Sequence, residues 1–170
     1  PLTGPASGLG IPMGNAIKLW PKTIAGEKLN VIVLDDATDP TKGTTNAKRF
    51  VTEDKVDIIM GSAATPVVIP MAGVAFEAET PQFMFSPGVL PAGKDLWSFR
   101  LPQGNAVMSF AIIEHMKKLG IKTVGFLGYT DAYGELWLKE FTKQGEAAGI
   151  KVVAAERFAR SDTSVTPQAL

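Results

Sequence analysis

Cysteine is absent from this chain of 170 residues, so no disulfide framework and no thiolate metal site is available to it, in a reducing or an oxidising compartment alike. Net charge is absent too: seventeen basic residues balance seventeen acidic ones, and without an overall field or a long single-sign run the chain has no electrostatic footprint for nucleic acid or an anionic membrane. The apolar runs fall far short of the roughly 20 residues that span a bilayer. Pro1-Leu2-Thr3-Gly4 has none of the basic and apolar zones of a signal peptide. Histidine occurs once, as His115 between Glu114 and Met116 on a helical pattern, with no second imidazole or thiol to complete a transition-metal site. No G-x-S-x-G elbow occurs, and one histidine far from any loop serine gives a hydrolytic triad no support.

What is present is a globular composition, 45% hydrophobic and 20% charged, laid out as a βα repeat. Apolar runs of four to six alternate with segments of helical spacing, and Gly, Pro or Asp punctuates nearly every junction. Helices are expected from Gly10 to about Lys22, Thr41 to Glu53, Thr65 to about Glu79, Asn105 to Leu119 and Tyr133 to Ala148. Strands are expected at Val31–Leu34, Val56–Met60, Gln82–Phe85, Trp97–Arg100, Thr123–Leu127 and Lys151–Ala155. Met108, Ile112, Met116 and Leu119 form the expected apolar stripe of the fourth helix. Gly120 and Gly149 stand where helices must stop, as left-handed C-terminal residues do. The periodicity lapses between Ser86 and Lys94, and the pattern restarts after Leu101-Pro102-Gln103-Gly104, which marks a lobe boundary: 1–101, then 102–170. The segment from Thr163 reads as a helix just beginning, and both ends have the look of a fragment.

The candidate chemistry sits in loops at strand ends. Glycines 4, 8, 10 and 14 do not make a dinucleotide fingerprint, because Met13 stands where G-x-G-x-x-G needs glycine. Asp35-Asp36 resembles the acidic pair of phosphorelay receiver domains, but the third acid is missing and Asp57 lies at the wrong end of its strand. A helix cap at Asp39-Pro40 and loop acceptors at Asp35 or Asp36 account for these residues. Gly61-Ser62-Ala63-Ala64-Thr65-Pro66 differs in kind. Its small residues let a ligand approach the backbone, while Thr65 and the first N–H groups of its helix supply donors suited to a carboxylate. Thr65 as a cap of its own helix is the competing reading. Ser86-Pro87-Gly88, at the next strand's carboxyl end, faces the same crevice. This wall offers N–H and hydroxyl donors and no arginine fork.

On these residues the chain resembles the extracellular solute-binding proteins of branched-chain amino-acid-type ABC transporters, which are periplasmic binding proteins of the two-lobed type I fold. The motifs that carry the resemblance are Leu2-Thr3-Gly4-Pro5, Leu34-Asp35-Asp36-Ala37-Thr38-Asp39-Pro40, Gly61 to Pro66, Ser86-Pro87 and Asp131-Ala132-Tyr133-Gly134-Glu135. The resemblance implies an α/β fold of two doubly wound parallel-sheet lobes, incomplete in this chain: a first lobe lacking its first strand, then the first half of the second. It implies a periplasmic protein that closes on a small carboxylate and delivers it to an inner-membrane permease, with no reaction catalysed and no cofactor, metal or nucleic acid required. Ala63, Ala64 and Thr65 are then expected at the solute carboxylate, Ser86 and Gly88 along the same wall, Tyr133 reaching across the cleft, and Gln103 near the first crossover.

One departure bears on stability, one on specificity and one on completeness. Thr38 and Ala64 stand where leucine/isoleucine/valine-binding relatives carry a disulfide, and Leu90 stands where they use a threonine on the amino-acid head group. An aromatic or branched aliphatic acid therefore suits the site better than an amino acid, although the family's ammonium-pairing acid lies beyond Leu170. The strand missing from the first lobe belongs between those at Val31 and Val56, so the rest of the same protein, or a second copy, is expected to complete the sheet. The alternatives are a ligand-sensing domain of a receptor or regulator with the same fold, and a doubly wound α/β enzyme.

Overall fold

A computed structural model describes residues 1–169, and Leu170 lies outside the described residues. The α/β alternation holds throughout. In chain order the elements are α1 (Ser7–Ile17), β1 (Thr23–Ile24), β2 (Glu27–Lys28), α2 (Pro40–Thr52), β3 (Ile59–Met60), α3 (Thr65–Glu77), β4 (Gln82–Met84), β5 (Ser98–Arg100), α4 (Asn105–Lys118), β6 (Thr123–Tyr129), α5 (Ala132–Ala147), β7 (Lys151–Phe158) and α6 (Thr166–Ala169). Strands β3, β4 and β5 form one parallel sheet in that order, β6 and β7 a second, and β1 with β2 a small antiparallel hairpin.

Two apolar cores result. One gathers Ala47 of α2, Ile59 of β3 and the inner face of α3, where Val67 is fully buried and contributes roughly 1.5–3 kcal/mol. The other gathers Ile113, Phe141 and Ile150 between α4, α5 and the β6–β7 pair. Buried Gln82 ties the first sheet together. Its amide nitrogen donates to the Gly61 carbonyl at 3.0 Å while its oxygen accepts from the Ser98 hydroxyl at 2.9 Å, so it both bridges the strands and steadies the loop after β3.

Helix ends follow local chemistry. Asp39 caps α2 by accepting from the Lys42 N–H at 2.7 Å, with Pro40 opening the helix. Gly120 and Gly149 end α4 and α5 at φ of 70° and 74°. In each case the residue after the glycine reaches back five positions, Ile121 N–H to the Met116 carbonyl and Ile150 N–H to the Gly145 carbonyl, closing a Schellman motif.

Four expectations are corrected. Val31–Leu34 forms no ladder: intermediate and exposed residues alternate along it as on a strand, yet no strand among the described residues pairs with it. β3 is correspondingly only two residues long, because it has a neighbour on the β4 side alone. Between these two segments lies an apolar trough of about 770 Å³, lined by Val31, Val33, Val56 and Ile58 among others. They do not pair with each other. Second, α1 begins at Ser7 and ends at Ile17, so Trp20 lies beyond it. Third, the buried face of α4 is Asn105, Ser109 and Ile113, whereas Ile112 and Leu119 are exposed. The small residues let α5 come close, with the Gln144 side chain donating to the Ala106 carbonyl at 2.9 Å, and the two-stranded sheet offers nothing to cover the other stripe. Fourth, Thr65 is the first residue of α3 and not its cap: Ala64 holds the cap position, with no side-chain hydrogen bond there.

Candidate functional site

Four parallel strands point their carboxyl ends into one region, and the loops that follow β3, β4, β6 and β7 meet there with the start of α1. In parallel α/β sheets this is where ligands bind. The cleft has a volume of about 410 Å³, within the usual range of roughly 300–1,000 Å³ for small-molecule sites. Ala6, Gly8, Ala63, Thr65, Phe85 and Pro87 line one side, and Tyr129, Tyr133 and Arg160 line the other. The trough between the Val31 and Val56 segments is larger, but it follows unpaired backbone through the first core and lacks this concentration of directed donors.

The first wall is held by its own hydrogen bonds. Asp36, buried, accepts from the Ser62 hydroxyl at 2.8 Å and from the Thr38 N–H at 2.8 Å, locking the loop after β3 to the acidic loop. Its neighbour Asp35 accepts from the Leu2 N–H, the Thr3 hydroxyl and the Ala37 N–H, which ties the segment before α1 into place. Burial pushes the Asp35 carboxyl upward, and these hydrogen bonds outweigh it, holding the group well below the ordinary carboxylate range.

Thr65 and Ser86 lie side by side, each almost fully buried, with their hydroxyl oxygens 2.5 Å apart. Two hydroxyls carry two protons and their mutual bond uses one. The other has no acceptor among the described residues, and neither does the Thr65 N–H at the open start of α3. Gly8, in the first turn of α1, presents a second N–H without a backbone acceptor among the described residues. Donors thus converge on the cleft from two helix starts, where the helix dipoles also favour an anion.

The second wall is aromatic and cationic. Asp131 caps α5, accepting from the Tyr133 N–H at 2.9 Å, and its other oxygen receives the Arg160 Nε. The guanidinium lies 4.1 Å from the centre of the Tyr129 ring and 5.7 Å from that of Tyr133, both within cation–π range. The chain's only two tyrosines are thus both at the cleft. Gly134 packs directly on the Tyr129 carbonyl, leaving no room for a Cβ, which is how α5 comes close enough to bring Tyr133 to this edge.

Of the residues singled out in the sequence, Ala63, Thr65 and Tyr133 line the cleft, and Ser86 stands directly behind Thr65. Ala64 turns its side chain into the first core, and its N–H is directed to the Ser62 hydroxyl. Gly88 is buried behind the wall against Val68, Ile69 and Met84, and Gln103 is exposed ahead of α4, outside the cleft lining. Phe85, Tyr129 and Arg160 escaped the sequence reading. The signal was there, because Tyr129 ends a parallel strand and Phe85 and Arg160 closely follow two others, but β6 and β7 run two and three residues further than expected. His115 is exposed on α4.

Comparison with known proteins agrees with this geometry. A family model described as periplasmic binding protein matches residues 1–170. Among solved structures, an extracellular ligand-binding receptor from Rhodopseudomonas palustris is 50% identical with a TM-score of 0.95, covering 99% of this chain and 47% of its own. An extracellular ligand-binding receptor from strain HaA2 of that species is 51% identical with a TM-score of 0.93, covering 98% and 47%. A solute-binding protein of an ABC transporter from strain BisB5, solved in complex with 3,4-dihydroxybenzoic acid, is 28% identical with a TM-score of 0.86, covering 99% and 48%. The chain therefore spans about half the length of the solved proteins it matches. A search of curated proteins returns no match. With the type I architecture, the strand-end cleft and the family model all in agreement, this chain belongs to the periplasmic binding protein family.

Proposed function

We propose that the protein carrying this chain captures a small aromatic monocarboxylate between its two lobes in the periplasm and delivers it to an ABC permease in the inner membrane. One observation carries the reading. The cleft offers N–H groups, a spare hydroxyl proton, one guanidinium and aromatic faces, while no carboxylate side chain lines it among the described residues. Such a lining solvates an anion and leaves an ammonium unpaired, so an aromatic acid fits better than an amino acid or a sugar. The 3,4-dihydroxybenzoic acid in the 28% identical relative is a ligand of this chemical class. Catalysis has no support in the cleft, since Thr65 and Ser86 bond each other and neither meets a general base among the described residues.

In this reading Thr65, through its N–H and the hydroxyl it shares with Ser86, holds the carboxylate at the start of α3, with Ala63 giving it room. Phe85 and Tyr133 flank the ring. Gly88 and Ala64 shape the wall from behind, and Gln103 belongs to the crossover about which the lobes close. Calorimetry of the full-length protein against benzoate, 4-hydroxybenzoate, 3,4-dihydroxybenzoate, leucine and glucose tests the proposal. Binding confined to the aromatic acids is expected. A protein that takes up leucine or glucose and ignores all three acids overturns it.

A further inference from the structure

Among the described residues Arg160 is the one cationic side chain lining the cleft, and its role has a sharper reading that rests on the aromatic-acid proposal above. Its Nε is committed to Asp131, and the two are about equally enclosed, with side chains 17% and 19% exposed. That ion pair holds the guanidinium over the Tyr129 ring, its central carbon 4.1 Å from the ring centre. The two terminal nitrogens carry four further N–H groups, and none of them meets an acceptor among the described residues. A guanidinium held at its base, set over an aromatic ring and unfilled at its tip is arranged to receive a carboxylate in the plane of its fork. If Arg160 only steadied its loop, the Asp131 bond would suffice, and the fork would not need to border the cleft opposite Thr65.

We propose that Arg160 is the second-lobe anchor of the ligand carboxylate, so that the anion is gripped by the α3 start on one side and by the Arg160 fork on the other. The ligand charge then joins the lobes, and a neutral analogue of the same shape fills the cleft without that tie.

The test compares benzoate with benzamide, by calorimetry and stopped-flow, in the full-length protein and in Arg160→Gln, Arg160→Lys and the double variant Arg160→Gln/Asp131→Asn. Thermal denaturation checks that each variant is folded. A hydrogen bond to a charged group sets the scale: Arg160→Gln should weaken benzoate about 10–100-fold, chiefly through faster release. Benzamide binding should stay where it was, and Arg160→Lys should fall between, keeping the charge without the fork. The double variant removes the Asp131 charge that the glutamine would leave facing the ligand, while asparagine preserves the cap of α5. Benzoate affinity should remain low in it. Recovery there would show that Arg160 merely neutralises Asp131, and an equal loss for benzoate and benzamide would reduce its role to packing; either result overturns the anchor. Unchanged benzoate affinity in Arg160→Gln sinks the anchor and leaves the aromatic-acid reading standing. A wild-type protein that binds neither benzoate nor any other aromatic acid removes both.

Discussion

Replacing Thr65 by valine keeps the shape of the side chain and deletes one hydroxyl from the pair it makes with Ser86. Both residues are at most 2% exposed, so the Ser86 hydroxyl is left buried without its partner. The cost of such an orphan is about 1–3 kcal/mol of stability. In the proposed site the same change removes a donor to the ligand anion, which is worth about 10–100-fold in affinity. A second substitution separates the two effects. In Thr65→Val/Ser86→Ala no hydroxyl is orphaned, and replacing both partners by apolar groups is close to neutral for stability, so the urea midpoint should recover most of the way. Affinity for 3,4-dihydroxybenzoate, measured by calorimetry, should not recover. Recovery of both would mean that the pair only holds the loops after β3 and β4 together. An unchanged dissociation constant in the single variant would refute the assignment of Thr65 outright.

Further outcomes follow from features outside the donor pair. Because the Asp35 carboxyl is depressed in the folded state, it stabilises the protein above its unfolded pKa of about 3.9 and loses that contribution as pH falls towards the folded value; Asp35→Asn should lower the urea midpoint at pH 7 and narrow the gap to wild type below pH 4, and parallel curves would contradict it. Glu79 ends α3 in the left-handed region at φ 49°, with the Thr80 N–H closing a Schellman bond to the Ala75 carbonyl; Glu79→Gly should add about 1 kcal/mol or less of stability and raise the urea midpoint accordingly, while Glu79→Ala should give no gain. The open edges beside the trough should recruit a strand, so the isolated segment 1–170 should sediment as a species larger than its 18.1 kDa monomer. A stable monomer would show that water satisfies those edges.

Much of this molecule follows from local chemistry alone. The cap at Asp39, the proline opening α2 and the glycine stops at 120 and 149 are decided within one turn of chain, and the structure places each where the sequence has it. The βα order and the acceptor loop at Asp35-Asp36 are equally local, since they need only apolar periodicity and short side chains beside free N–H groups. Where a second element decides, the sequence is mute. Val31–Leu34 carries a strand's alternation, but a strand exists only when another pairs with it, and none among the described residues does. The buried face of α4 was chosen by the approach of α5, which favours the small Asn105 and Ser109 over a larger apolar stripe. Thr65 and Ser86, and Arg160 and Tyr129, are 21 and 31 positions apart, and each pair meets because parallel strands return the chain to the same edge after every helix. Composition and motif could name donors one by one; only the tertiary fold, by bringing strand ends together, could make them face a single ligand.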